Sequence, residues 1–86
     1  MLDYEKVCIN AIQVVGKYLA SDLVAADIHE ELQEAQRTVS DAWDEVESRK
    51  ARRICRTAWH ACLAAKLGDR RLARIHVWDF WNFMHN

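Results

Sequence analysis

The sequence predicts an all-α fold, in which a single helical domain takes up residues 1–86. The 86 residues include no proline and only two glycines, so the chain lacks the turn residues that closely spaced β-hairpins need. Hydrophobic residues make up 51% of the chain, enough for a packed core, and apolar positions recur at steps of three and four. We therefore expect a small antiparallel helical bundle of three main helices plus a shorter C-terminal helix.

A first helix is predicted from Asp3 to Leu19, with Asp3 as its N-cap. Its apolar positions lie along one stripe, because they are three or four residues apart. The stripe consists of Tyr4, Val7, Cys8, Ala11, Val14, Val15 and Tyr18.

A second helix is predicted to begin near Asp27, because Asp27 and Glu30 have the D-x-x-E spacing of a capping box. Its apolar residues follow steps of four and three, the spacing of a heptad seam, and Trp43 widens this seam. The seam consists of Ile28, Leu32, Ala35, Val39, Ala42 and Val46.

The chain is expected to bend or break between Glu47 and Lys50. Continuing the seam by three and four residues would place Arg49 and Arg53 in the core, whereas the next apolar stripe starts out of phase at Ile54. Ser48 can cap a new helix at this point. A continuous bent helix is the alternative, since neither glycine nor proline marks a turn here.

Gly68 is predicted to end the third helix and Asp69 to cap the last one. The last helix carries large apolar residues all round its axis, so one face cannot bury them all. These residues are Val77, Trp78, Phe80, Trp81, Phe83 and Met84. Some fill the core, and we expect at least one or two to remain for a partner or a homodimer, with Trp78 and Trp81 as the main candidates.

The net charge of −1 conceals two oppositely charged halves. Residues 1–48 carry three basic residues against eleven acidic ones, which gives −8, and residues 49–86 carry nine against two, which gives +7. Two sets of side chains are predicted to point outward, opposite the apolar seams of their own helices. The acidic face consists of Glu30, Glu34, Asp41 and Glu45, and the basic stripe consists of Arg49, Arg52, Arg53 and Arg56.

Three interpretations compete for the basic stripe and for Arg70, Arg71 and Arg74 in the last helix. The two signs can pair along the flanks of neighbouring helices, in contacts that stabilise little. The arginines can contact phosphates of a nucleic acid, although eleven acidic residues would repel a duplex nearby. They can also associate with an acidic surface, on another protein or on a second copy of the chain.

Motifs for catalysis and cofactor binding are absent from the sequence. There is no G-x-S-x-G elbow, glycine-rich phosphate loop, H-E-x-x-H pair or dinucleotide fingerprint, so we expect neither an enzyme nor a cofactor. The best candidate metal ligands are Cys55, His60 and Cys62. Because His60 lies about 140° round the helix from Cys55, the three cannot converge without a second helix, and no metal site is expected.

The cysteines and the first residues favour a cytoplasmic protein without a membrane segment. Three cysteines are an odd number and fall on predicted helices, which suits core packing better than a disulfide framework. Acids at positions 3 and 5 argue against a signal peptide. No apolar run approaches the roughly 20 residues of a membrane span.

Residues 14–46 resemble the alanine-rich helical proteins classed as immunity proteins. The stretch VVGKYLASDLVAADIHEELQEAQRTVSDAWDEV has an aliphatic-rich helix, a Tyr-Leu ending, a short polar turn and an acidic L-x-x-A helix, as in those proteins. The chain departs from them after Arg49, where arginines and a Trp-rich end replace their long alanine runs. The resemblance implies a protein that acts by binding another protein, and it carries over no site residue.

Our leading hypothesis is a non-catalytic module that binds a macromolecular partner stoichiometrically, as an immunity protein, an antitoxin-like neutraliser or a phage- or plasmid-borne inhibitor does. The basic stripe would steer or register the complex, and Trp78 and Trp81 would supply buried area in it. One alternative is a small nucleic-acid-binding regulator that uses the helix from Arg49 to Arg56. Another is a homo-oligomeric accessory or scaffold subunit.

Overall fold

The computed structural model describes residues 3–85, which form four α-helices and a 3-10 turn and contain no strand. The all-α prediction is confirmed. The turn lies at Ala25–Ile28, and the helices are α1 Tyr4–Leu19, α2 His29–Glu45, α3 Arg49–Lys66 and α4 Arg70–His85.

The prediction of a shorter C-terminal helix is wrong, because α4 has 16 residues, as many as α1. The helix α4 continues through its large apolar residues to His85, although they lie all round its axis. Ala73 and Phe80 anchor one side of it in the core, and the surplus aromatic residues stay outside.

A side-chain cap marks the start of α1, whereas α2 begins without one. The Asp3 carboxylate accepts hydrogen bonds from the backbone N–H groups of Glu5 and Lys6 at 3.1 and 3.4 Å, which confirms Asp3 as the N-cap of α1. Near α2, the Asp27 carboxylate instead accepts from the N–H of Val24 at 3.2 Å, inside the 3-10 turn. The predicted capping box with Glu30 is therefore wrong: Asp27 closes the turn before the helix, and α2 itself begins at His29.

A turn separates α2 from α3, as one of the two alternatives at residues 47–50 predicts. Val46 and Ser48 have extended backbones, and the Ser48 hydroxyl caps α3 by accepting from the N–H of Ala51 at 3.0 Å. The turn changes the helix phase so that Ile54 faces inward while Arg49 and Arg53 face solvent.

Gly68 ends α3 with a positive φ of 76°, a conformation that glycine adopts without steric cost. The N–H groups of Gly68 and Asp69 donate to the carbonyls of Ala65 and Ala64 at 3.0 and 2.9 Å, which is the Schellman pattern. The Asp69 carboxylate then accepts from the N–H of Leu72 at 3.0 Å and caps α4. Both sequence predictions at this turn are confirmed.

The core surrounds α3, which contacts all three other helices. Small side chains allow these close approaches, and the buried alanines of α3 are Ala51, Ala58, Ala61, Ala64 and Ala65. The neighbouring helices supply large buried side chains to the core, namely Tyr18 of α1, Leu32 of α2 and Phe80 of α4. Within residues 3–85, every helix is too short or too polar to cross a lipid bilayer.

Candidate partner-binding surfaces

The basic stripe lies on the solvent side of the first half of α3. Its four arginines are all exposed, because the opposite side of this half is buried through Ala51, Ile54, Cys55 and Ala58. The predicted outward orientation is confirmed.

The turn between α2 and α3 makes this stripe one wall of an open groove. The groove has a volume of about 620 Å³, and we call it the arginine groove. It is lined by Trp43, Glu47, Arg49, Arg52, Arg53 and Arg56. Trp43 joins it from the last turns of α2, so an aromatic ring and four guanidinium groups border one cavity.

Aromatic contacts hold two of the groove's side chains in place. The Trp43 ring packs edge-on against Trp59, with ring centroids 6.4 Å apart. The Arg53 guanidinium lies 4.0 Å from the centroid of the Phe83 ring, a cation–π contact between the groove and the end of α4.

The ion pairs Lys17–Glu31 and Arg37–Glu34 lie on α1 and α2, outside the basic stripe. Lys17 pairs with Glu31 at 3.2 Å and Arg37 with Glu34 at 3.1 Å, and all four side chains are exposed. Neither pair involves a guanidinium group of the basic stripe.

The acidic face lies on the exposed side of α2. Glu30, Glu34, Asp41 and Glu45 are all exposed, as predicted from their position opposite the seam. Glu34 is engaged with Arg37 one turn further on.

Arg70, in contrast, forms hydrogen bonds with other residues of the chain. Its guanidinium donates to the backbone carbonyls of Tyr18, Leu19, Ser21 and Leu23, at distances from 2.6 to 3.4 Å. It also lies 4.2 Å from the centroid of the Tyr18 ring. Because the last carbonyls of a helix lack partners within the helix, Arg70 completes the C-terminal end of α1. Arg71 and Arg74 remain exposed.

The solvent side of α4 carries an unusual set of large apolar residues, which we call the outer face of α4. Trp78 is 67% exposed and Trp81 is 37% exposed, while Phe80 between them is fully buried. At 100° per residue, the exposed apolar residues and the exposed arginines fall on the same half of the helix. The outer face consists of Leu72, Ile75, Trp78, Trp81, Arg71 and Arg74.

The three cysteines are unpaired thiols in the core. The Cys8 and Cys55 sulfurs are 3.7 Å apart, and this hydrogen bond together with burial raises the pKa of Cys8. Burial raises the pKa of Cys62 to about 12. Both thiols are therefore protonated at neutral pH, the less nucleophilic form. Among residues 3–85, no three His, Cys, Asp or Glu side chains are grouped to hold a metal ion.

Two histidines stack where α3 meets α4. The rings of His60 and His76 have centroids 5.8 Å apart, and His60 also bonds to the carbonyl of Arg56 through Nδ1 at 2.9 Å. Burial lowers the pKa of His76, and the neighbouring His60 lowers it further, against a smaller opposite effect of Asp79.

We expect this contact to make stability depend on pH. Since the pKa of His76 is lower in the folded chain than its unfolded value of about 6.5, the unfolded chain binds more protons as pH falls below that value. The free energy of unfolding should therefore fall with pH from about 6.5 downward and level off below the folded pKa. Urea titrations across this range should show a shallower fall for His76→Gln. The exposed His29→Gln serves as the control, and equal pH slopes in both variants would contradict the assignment.

The sequence predicts most of these surface residues, but it does not predict where Trp43 and Arg70 lie. Trp43 appears in the sequence as part of the α2 seam, and its role in the arginine groove depends on the turn that brings α3 beside it. Arg70 looks like its neighbours Arg71 and Arg74, and only its position after Gly68 and Asp69, at the first turn of α4, hints at a separate role. Comparisons with protein-family models, curated proteins and solved structures find no match for this chain.

Proposed function

We propose that the protein is a non-catalytic module that binds a protein partner stoichiometrically and thereby inhibits or neutralises it, in the manner of immunity proteins and antitoxins. The outer face of α4 is the main contact surface in this proposal, and the arginine groove is a second one. The thiols support a non-catalytic role, because Cys8, Cys55 and Cys62 are all fully buried and out of reach of a substrate. We propose a cytoplasmic location, which suits three unpaired cysteines.

The observation that carries the proposal is the composition of the outer face. Trp78, the most exposed aromatic side chain on it, sits among exposed aliphatic side chains and two arginines. Tryptophan and arginine dominate the residues that contribute most to protein–protein binding, since they combine large contact area with directional polar groups. Arg71 and Arg74 favour a partner whose docking surface is acidic.

We also propose that successive helices run antiparallel. Lys66, at the end of α3, donates to Gln36 in the first half of α2 at 2.8 Å, and it also contacts Gln33. Arg53, near the start of α3, packs on Phe83 near the end of α4. Short connections between neighbours favour the same arrangement.

The double variant Trp78→Ala/Trp81→Ala should lose the partner. Tagged wild-type protein expressed in its source cells is expected to recover a partner in a fixed molar ratio, and the variant to recover at least tenfold less, the effect of losing about 1.4 kcal/mol or more of binding free energy. Quantitative mass spectrometry of the recovered complex measures this.

A matched control removes the same kind of surface elsewhere. Val24 and Leu67 are 60% and 75% exposed and lie off the outer face, so Val24→Ala/Leu67→Ala should keep the partner. Equal recovery by both double variants, at equal thermal midpoints, would refute the outer face as the binding surface.

A nucleic-acid-binding regulator is the second candidate, and the arginine groove is the observation that favours it. Clustered arginines next to an aromatic ring match the phosphate and base contacts of such proteins. A fluorescence titration with a labelled duplex at low salt tests it. Binding that weakens steeply as salt rises would support this candidate, and no binding at micromolar protein would remove it.

A homo-oligomeric accessory or scaffold subunit is the remaining candidate. The apolar part of the outer face favours self-association, whereas Arg71 and Arg74 oppose a two-fold pairing of α4 with itself because like charges would meet. Light scattering tests it, since a stable dimer or larger oligomer without any other partner would support this candidate.

A further inference from the structure

We propose that the arginine groove binds an acidic helical segment of the partner, in which carboxylates recur every three to four residues. This inference rests on the proposed function and specifies the chemistry of its second surface. The arginines of the basic stripe follow the spacing i, i+3, i+4 and i+7 along α3. A helix lying alongside α3 presents its own side chains at the same intervals, so its carboxylates can meet the guanidinium groups in register.

The chemistry of the groove favours carboxylates that come from outside the chain. Guanidinium groups bind carboxylates through two parallel hydrogen bonds, and the ion pairs Lys17–Glu31 and Arg37–Glu34 use none of these four arginines. A partner's carboxylates could therefore bind these arginines while both of those pairs stay in place.

The length and borders of the groove favour a protein segment over a nucleic acid. Seven residues of helix separate the first and last arginine, which is about 10 Å of helix axis. Glu47 lines the groove, and Asp41 and Asp44 are exposed on the adjoining end of α2. A duplex, with one phosphate for about every 1.7 Å of axis, would extend beyond the arginines towards these carboxylates. A short acidic helix can place its charges on the arginines alone.

Two fixed side chains prepare the groove for such a segment. Trp43 is half-buried against Trp59, and Arg53 is held on the Phe83 ring, so less side-chain entropy is lost when a ligand binds. The Trp43 ring offers an apolar contact beside the arginines. We therefore expect the segment to carry one large apolar residue next to its carboxylates.

The experiment uses the full chain and a dye-labelled, helix-forming peptide with glutamates at i, i+3, i+4 and i+7, the spacing of the arginines, and one leucine beside them. The comparison peptide has the same composition with its glutamates distributed round the helix. Fluorescence anisotropy at low salt should show roughly tenfold weaker binding for Arg52→Ala/Arg56→Ala than for wild type. The charge-matched variant Arg71→Ala/Arg74→Ala should lose less than about threefold, because it removes the same charge from another surface. Arg53 is left intact since it packs on Phe83.

Three results would overturn the inference: equal losses in the two double variants, equal binding of the two peptides, or a single-stranded oligonucleotide of the same length that displaces the peptide and binds more tightly. The last result would assign the groove to nucleic acid.

Failure of the proposed function is recognised separately, because it appears as unchanged partner recovery in the Trp78/Trp81 variant. If that variant loses the partner but the peptide experiment shows none of the expected differences, the outer face remains the proposed binding surface. The arginine groove is then not a site for an acidic helix.

Discussion

Phe80→Ala is expected to lower the free energy of unfolding by about 3–5 kcal/mol, as truncations of buried aromatic side chains do. Phe80 is fully buried and is the largest buried side chain of α4, whose other buried residue is Ala73. Because a domain of this size has a total stability near the low end of about 5–15 kcal/mol, α4 should detach or the whole chain unfold in mild denaturant. Urea titration followed by far-UV circular dichroism measures the loss.

The neighbouring Trp78→Ala provides the control for Phe80. It removes a larger ring only two residues away, but this ring is 67% exposed, so the free energy of unfolding should change by less than about 0.5 kcal/mol. Phe80→Leu should recover a large part of the lost stability, since it fills most of the cavity. Equal destabilisation by Phe80→Ala and Trp78→Ala would show that α4 packs differently from the arrangement described.

Arg70→Ala is expected to lower the free energy of unfolding by about 2 kcal/mol, because the half-buried Arg70 makes several contacts with α1 and the chain after it. The substitution leaves four carbonyls at and after the end of α1 without their charged donor and removes the contact with the Tyr18 ring. Since these carbonyls are partly exposed, water replaces some of the lost hydrogen bonds and limits the cost. Urea titration of the variant measures this loss.

Arg70→Lys and Arg71→Ala separate geometry from charge. Lysine keeps the charge but cannot span four carbonyls or stack as a plane on the tyrosine, so it should recover less than half of the lost stability. Arg71→Ala removes an exposed arginine one position away and should change the free energy of unfolding by less than about 0.5 kcal/mol. Full rescue by lysine would mean that net charge, and not the set of contacts, accounts for the effect.

Local features of the fold were predictable from the sequence because their causes are local. Each capping residue bonds to backbone groups at most five residues away, so its type and position are enough to predict where a helix begins or ends. This holds for Asp3, Ser48, Gly68 and Asp69. The error at Asp27 arose between two local partners, since its carboxylate bonds backwards to Val24 instead of forming a box with Glu30.

Features that depend on contacts between helices were not predictable. Arg70 bonds to carbonyls about fifty residues earlier in the chain, and its position after Gly68 and Asp69 does not show which carbonyls it will meet. The length of α4 was underestimated: the helix continues to His85 with Phe80 buried against the other helices and Trp78 and Trp81 exposed, and this division depends on how α4 packs. The basic stripe was predicted to point outward, but its joining with Trp43 into one groove required the turn geometry.

The central position of α3 gives partner binding a thermodynamic readout. The arginine groove exists only while α3 is folded, and α3 is packed against all three other helices, so the unfolded chain has no groove to offer. A ligand that binds only the folded chain raises its melting temperature, by an amount that grows with the logarithm of ligand concentration once the site is saturated. Candidate partners can therefore be ranked by thermal shift of the unlabelled protein.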